Sequence, residues 1–158
     1  TRIGRRIRLG LLFAVLLSGP ALAQSAQDLT LAEARSVALA AALDGQYAPA
    51  RELAAALLRV DPDDRSALIV LAIVEPSLGR PDQGRMAGAR AYRLATTGPD
   101  RYQAARLTAL AAARAQRFGL AGLWLRRALI HAGSEGDVAQ TIADARAMRD
   151  ANPWRTDL

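Results

Sequence analysis

The stretch Leu31–Asp64, LAEARSVALAAALDGQYAPARELAAALLRVDPDD, decides the fold. Within it Gly45-Gln46-Tyr47-Ala48-Pro49-Ala50 separates two Ala- and Leu-rich segments, each long enough to form a helix. The same six positions return 34 residues later as Gly79-Arg80-Pro81-Asp82-Gln83-Gly84, and after a further 37 as Gln116-Arg117-Phe118-Gly119-Leu120-Ala121. These offsets carry Ala38 onto Ala72 and Ala109, Leu57 onto Ala91 and Ala128, and Leu58 onto Tyr92 and Leu129. Pro62 maps onto Pro99 at the larger offset, which places an insertion around Ala95–Gly98. One register with one insertion accounts for every pair. A fixed period of this length predicts stacked helical units, because a single pair cannot bury its apolar face alone.

Composition agrees. Half of the chain is hydrophobic but only 4% is aromatic, so the core has to be built from Ala and Leu, both strong helix formers. Small side chains also demand close helix–helix approach. The predicted class is all-α, with helices over 31–43, 47–59, 64–78, 82–96, 100–115, 118–132 and 136–151. Thr30 and Glu33 have the spacing of a capping box, with Leu29 outside as a staple. Ser134 and Asp137 form a weaker cap, Asp being too short for the usual reciprocal bond. The seventh helix, with Val138, Ile142 and Ala145 at helical spacing, has no partner after it and is expected to cap the stack toward solvent. Gly84 and Gly88 fall inside a predicted helix, where they mark close packing or a weakened helix.

At these residues the chain resembles the tetratricopeptide (TPR) family. That motif joins a small residue midway along a first helix to a Gly–x–aromatic turn. A small residue early in the second helix follows, then Ala-Leu near its end and a Pro. The first copy matches best, through Ala38, Gly45, Tyr47, Ala50, Leu58 and Pro62, and departs at Ala34 and Leu57. The second loses the aromatic to Pro81, and the third has Gln116 in place of Gly. The resemblance covers roughly two-thirds of the chain. It implies a right-handed α-solenoid of about three helix pairs plus a C-terminal capping helix.

Both ends carry further signals. Thr1–Arg8 is basic, Leu9–Leu17 is apolar, Ser18-Gly19-Pro20 breaks the helix, and Ala21-Leu22-Ala23 offers a small-residue cleavage point. That order is a secretory signal peptide over residues 1–23, followed by a linker over 24–30 and the helical domain over 31–151. The apolar run is about half of the ~20 residues that span a bilayer. Over 152–158, Asn152-Pro153 stops the last helix, and Trp154, Thr156 and Leu158 then alternate with Arg155 and Asp157, as in a linker or an opening strand. Signal peptide, repeat helices and this junction together resemble the surface lipoprotein assembly modifier (Slam) family. Its members join a periplasmic TPR domain to an outer-membrane β-barrel and help lipoproteins reach the cell surface. A free-standing periplasmic scaffold, in envelope polysaccharide export or cytochrome maturation, is the alternative expectation.

Charge and chemistry narrow the function. All 21 basic residues are Arg, and the net charge is +6. Arg2, Arg5, Arg6 and Arg8 supply four of those charges, and from Gln24 onward 17 Arg face 15 acids. No basic stripe with interleaved aromatics remains, which argues against nucleic-acid binding. There is no Cys, hence no disulfide, thiolate metal site or Cys nucleophile. His131 is the only histidine and is read as a solvent-facing residue near a helix end. Asp61, Asp63 and Asp64 lack the Gly and distal Glu of a calcium loop, so helix capping is the better reading. No catalytic motif, metal or cofactor is expected, and the reading is a non-enzyme.

In the TPR family the first helix of each pair lines the concave, ligand-holding surface. Carried onto this sequence, that implies Arg35 and Leu39 from the first copy, and Ser66, Ile69 and Ile73 from the second. The third contributes Gln103, Arg106, Leu110 and Arg114. Such a groove, apolar at its floor with Arg35, Arg106 and Arg114 around it, suits a protein or peptide client carrying an acid or a terminal carboxylate. The helical domain itself is expected to make no membrane contact.

Overall fold

The computed structural model describes residues 30–152. The signal peptide over 1–23, the linker as far as residue 29 and the tail from residue 153 lie outside the described residues. Among the described residues seven helices follow one another: α1 Leu31–Leu43, α2 Tyr47–Val60, α3 Arg65–Ser77, α4 Pro81–Leu94, α5 Gly98–Arg114, α6 Phe118–His131 and α7 Glu135–Asp150. The protein is all-α, with no strand among the described residues.

Local chemistry sets the starts. The Thr30 hydroxyl accepts from the Glu33 backbone N–H while the Glu33 carboxylate accepts from the Thr30 N–H at 2.8 Å, a complete capping box. Asp64 caps α3 by accepting from the Ala67 N–H at 3.0 Å. Asp61 accepts from the Asp63 N–H, so the acidic cluster around Pro62 builds the turn into α3. Ser134 caps α7 through the Asp137 N–H, and the short Asp137 side chain takes the Gly133 N–H instead of the reciprocal one. α5 begins two residues earlier than expected. Thr97 caps it by accepting from the Asp100 N–H, and Pro99 sits in the first turn, where a missing donor costs little. The insertion is therefore an added turn, and α5 runs 17 residues against 13 in α1 and in α3.

The repeat register reappears in the backbone. Gly45, Gly79 and Gln116, aligned by the 34- and 37-residue offsets, have φ values of 77°, 79° and 58°. Each lets the chain turn from one helix into the next through the left-handed region, which costs roughly 1–2 kcal/mol for a residue with a Cβ. Gln116→Gly is therefore expected to stabilise the protein by about 0.5–1 kcal/mol, after allowing for the greater unfolded-state freedom of Gly. A urea unfolding midpoint that does not rise would contradict this account of the turn.

Packing follows the same register. α1 lies against α3, α3 against α5, and α5 against α7, while α4 and α6 meet through the side chains of Tyr92, Trp124 and His131. The core passes through three overlapping clusters. Ala38, Ala54, Leu57, Val70 and Val74 form the first, Leu68, Ala72 and Ala91 the second, and Ala105, Ala109, Trp124 and Ala128 the third. The repeated small residues lie at its centre: Ala38, Ala72 and Ala109 are at most 2% exposed. Both glycines of α4 are packing glycines. A Cβ on Gly84 would sit 2.5 Å from Pro76 Cδ, and one on Gly88 would sit 2.4 Å from Thr108 Oγ1. Pro76 and Gly84 occupy the positions of Ala42 and Ala50, so a larger ring on one helix is matched by a missing methyl on the next.

α7 differs from the cap expected of it. Its buried residue is Thr141, 1% exposed, whose hydroxyl donates to the Asp137 carbonyl, and Tyr102 donates to that same carbonyl at 2.9 Å. Val138 and Ile142 are 38% and 42% exposed. The helix is thus attached through these polar contacts and through Met148, which packs against the third core cluster, and it turns an apolar stripe outward.

Candidate functional site

The face shared by α1, α3 and α5 carries two cavities. One, of about 230 Å³, is lined by Arg35, Ser36, Leu39, Arg65, Ser66, Ile69 and Gln103. The other, of about 260 Å³, is lined chiefly by Tyr47, Ile73, Pro76, Leu107, Leu110 and Arg114. Eight of the nine residues expected to form a groove are brought to this face. Ile69 is a floor residue, 4% exposed, whereas Leu39 and Arg114 are exposed.

Arg106 is the ninth, and it lines neither cavity. Its guanidinium grips Asp144 of α7, with Nε 2.5 Å from Oδ2 and Nη2 3.3 Å from Oδ1. The Asp144 hydrogen bond raises the Arg106 pKa above the ordinary arginine value. Arg35 is also committed, lying 2.7 Å from the buried Asp64 that caps α3. Of the three cations expected around the groove, only Arg114 meets no carboxylate among the described residues; it donates to Ser77 at 3.1 Å. The positive character of this face is therefore concentrated at Arg114. It is weaker than the sequence suggests.

Other polar groups had not been expected. Glu75, 3% exposed, is held between Arg51 at 2.8 Å and Arg80 at 2.5 Å. It ties α2, α3 and the turn into α4 together. Its signal in the sequence is that it replaces Ala41 and Ala112, the matching residues of the other copies, and a carboxylate at a core position requires cations. Arg65 of α3 reaches Asp100 of α5 at 2.9 Å, and Arg90 of α4 reaches Asp63 at 2.8 Å.

His131 is a correction to the solvent-facing reading. It is half-buried, its Nε2 lies 3.0 Å from the Tyr92 hydroxyl, and its ring is tilted against the Tyr92 ring at 5.8 Å. Tyr92 in turn meets Trp124 edge-on at 5.3 Å. The histidine thus belongs to an aromatic joint between α4 and α6, which spacing alone did not show. Among the described residues no group of three or more acids and histidines is placed to hold a metal ion. No described helix is long and apolar enough to cross a membrane. No family model matches the chain, and neither a curated protein nor a solved structure resembles it at a significant level.

Proposed function

We propose that this chain is an exported protein-binding module, a right-handed TPR-like solenoid whose concave face on α1, α3 and α5 holds a segment of a client protein, and that it performs no catalysis itself. The observation that carries this reading is the convergence of Leu39, Ser66, Ile69, Ile73, Gln103, Leu110 and Arg114 on the two cavities of one face. Apolar floors with a few polar groups around them suit a peptide whose side chains enter the cavities and whose acid lies near Arg114. Leu39→Glu and Arg114→Glu, both on exposed side chains, are expected to weaken capture of envelope-protein clients by about tenfold each, or ~1.4 kcal/mol. Met86→Glu on α4, 57% exposed in the structure, should leave capture unchanged. Equal loss in all three variants would remove this face from consideration.

The sequence at the two ends supports placing the module in the periplasm, as the helical domain of a Slam-like outer-membrane protein. Reading the codons downstream of Leu158 tests that placement. Several hundred codons with ~10-residue alternating segments favour the barrel protein. A stop codon directly after Leu158 favours a free-standing scaffold.

A further inference from the structure

The stripe on α7 is the pairing face of a first helix. Counting four, eight and eleven residues from the capping residue gives Ala34, Ala38 and Ala41 in α1, and Leu68, Ala72 and Glu75 in α3; all six are at most 9% exposed. The same count from Ser134 gives Val138, Ile142 and Ala145, which are all exposed. The neighbouring helix leaves this face open as well. At the position of Ala54 and Gly88, where the next helix comes close, α6 carries Leu125. Beside it, a Cβ on Gly122 would meet, among the described residues, only Arg126 Nη1, at 3.9 Å. The result is a groove of about 340 Å³ between α6 and α7, floored by Leu125 and walled by Leu129, Ile142 and Ala145. Arg126, Arg146 and Arg149 also line it, with no carboxylate among the described residues of the lining. None of these three forms an ion pair with a carboxylate among the described residues.

We propose that this groove, separate from the face on α1, α3 and α5, receives an acid-bearing amphipathic helix of another protein, which completes α7 as a fourth helix pair. A helix is the matching shape because apolar residues spaced by four and three require a partner with the same period. Carboxylates flanking its apolar face would meet Arg126, Arg146 and Arg149, bidentate partners well suited to them. The floor is recessed, Leu125 being 4% exposed, so a protruding side chain reaches it and a flat lipid surface does not. A two-fold pairing of this face with a second copy would oppose the three arginines of each chain.

The test uses the purified chain and two synthetic peptides of about 18 residues, long enough for helix formation. Both carry Leu at helical spacing, one flanked by Glu and the other by Lys. The Glu peptide is expected to bind about tenfold or more tightly than the Lys peptide, by anisotropy, and to shift the amide resonances of Gly122, Val138, Ile142 and Ala145. Ile142→Glu and Arg146→Glu, at exposed positions, should each weaken it about tenfold, and Met86→Glu on the exposed side of α4 should have no effect. Equal affinity for both peptides, or shifts confined to α1, α3 and α5, would overturn the proposal. So would a dimer that Ile142→Glu dissolves, or binding to anionic phosphatidylglycerol vesicles with none to the Glu peptide.

Discussion

Trp124→Ala is expected to destabilise the protein by about 3–5 kcal/mol, the usual cost of emptying a large aromatic site. Trp124 is 7% exposed and packs among Ala105, Ala109 and Ala128, none of which can extend to refill the space. The substitution also removes the edge-to-face contact with Tyr92 and the Arg127 guanidinium stacked 4.5 Å from the ring centroid. An aromatic pair adds about 0.5–1.5 kcal/mol beyond buried area, so Trp124→Phe should recover a good part of the loss. With a total stability of order 5–15 kcal/mol, the Ala variant should unfold at markedly lower urea, followed by far-ultraviolet circular dichroism. A cost below about 1 kcal/mol would mean that α6 is not seated on α5 as described.

Gly88→Leu should be comparably severe, about 3 kcal/mol or more, through overpacking. The first added carbon already lies 2.4 Å from Thr108 Oγ1 and 3.3 Å from Thr108 Cα and N, so more than a rotamer must move. Thr108 is held in place, with its hydroxyl donating to the Ala104 carbonyl at 2.7 Å. A double-mutant cycle isolates the cause. Gly88→Ala is expected to destabilise the wild type in spite of the roughly 1 kcal/mol by which Ala favours a helix over Gly. In a Thr108→Ala background the same change should cost much less, giving a coupling energy above about 1 kcal/mol. Independent effects would show that α4 and α5 are not in contact there.

The fold was legible where the chain repeats itself. Gly45 and its aligned partners exposed the register, and the left-handed φ of Gln116 shows that the register governs the backbone even where the residue type changed. Helix ends were legible where a capping side chain sits three residues before its donor, as at Thr30 and Ser134. They were missed at α5, where the added turn was read as a connection because Pro99 suggested a boundary. The candidate face was largely legible, since membership depends on helical period and on which helix of each pair is first. Its charge was not. Arg106 and Asp144 are 38 residues apart in sequence, and Arg35 and Asp64 are 29 apart. Neither period nor spacing reveals such pairings. The outward stripe of α7 was visible as a spacing of Val138, Ile142 and Ala145, but only the packing of Thr141, Asp137 and Asp144 inward shows which side faces out.

The central claim is that a client polypeptide lies along the face of α1, α3 and α5. Photo-crosslinking residues placed singly at Leu39, Ile73 and Leu110, and for comparison at Met86 and Leu123, test it most directly in cells expressing the full chain. Adducts to one client from the first three positions and none from the last two are predicted. Adducts confined to Met86 and Leu123, or no adduct at Leu39, Ile73 and Leu110, would contradict it.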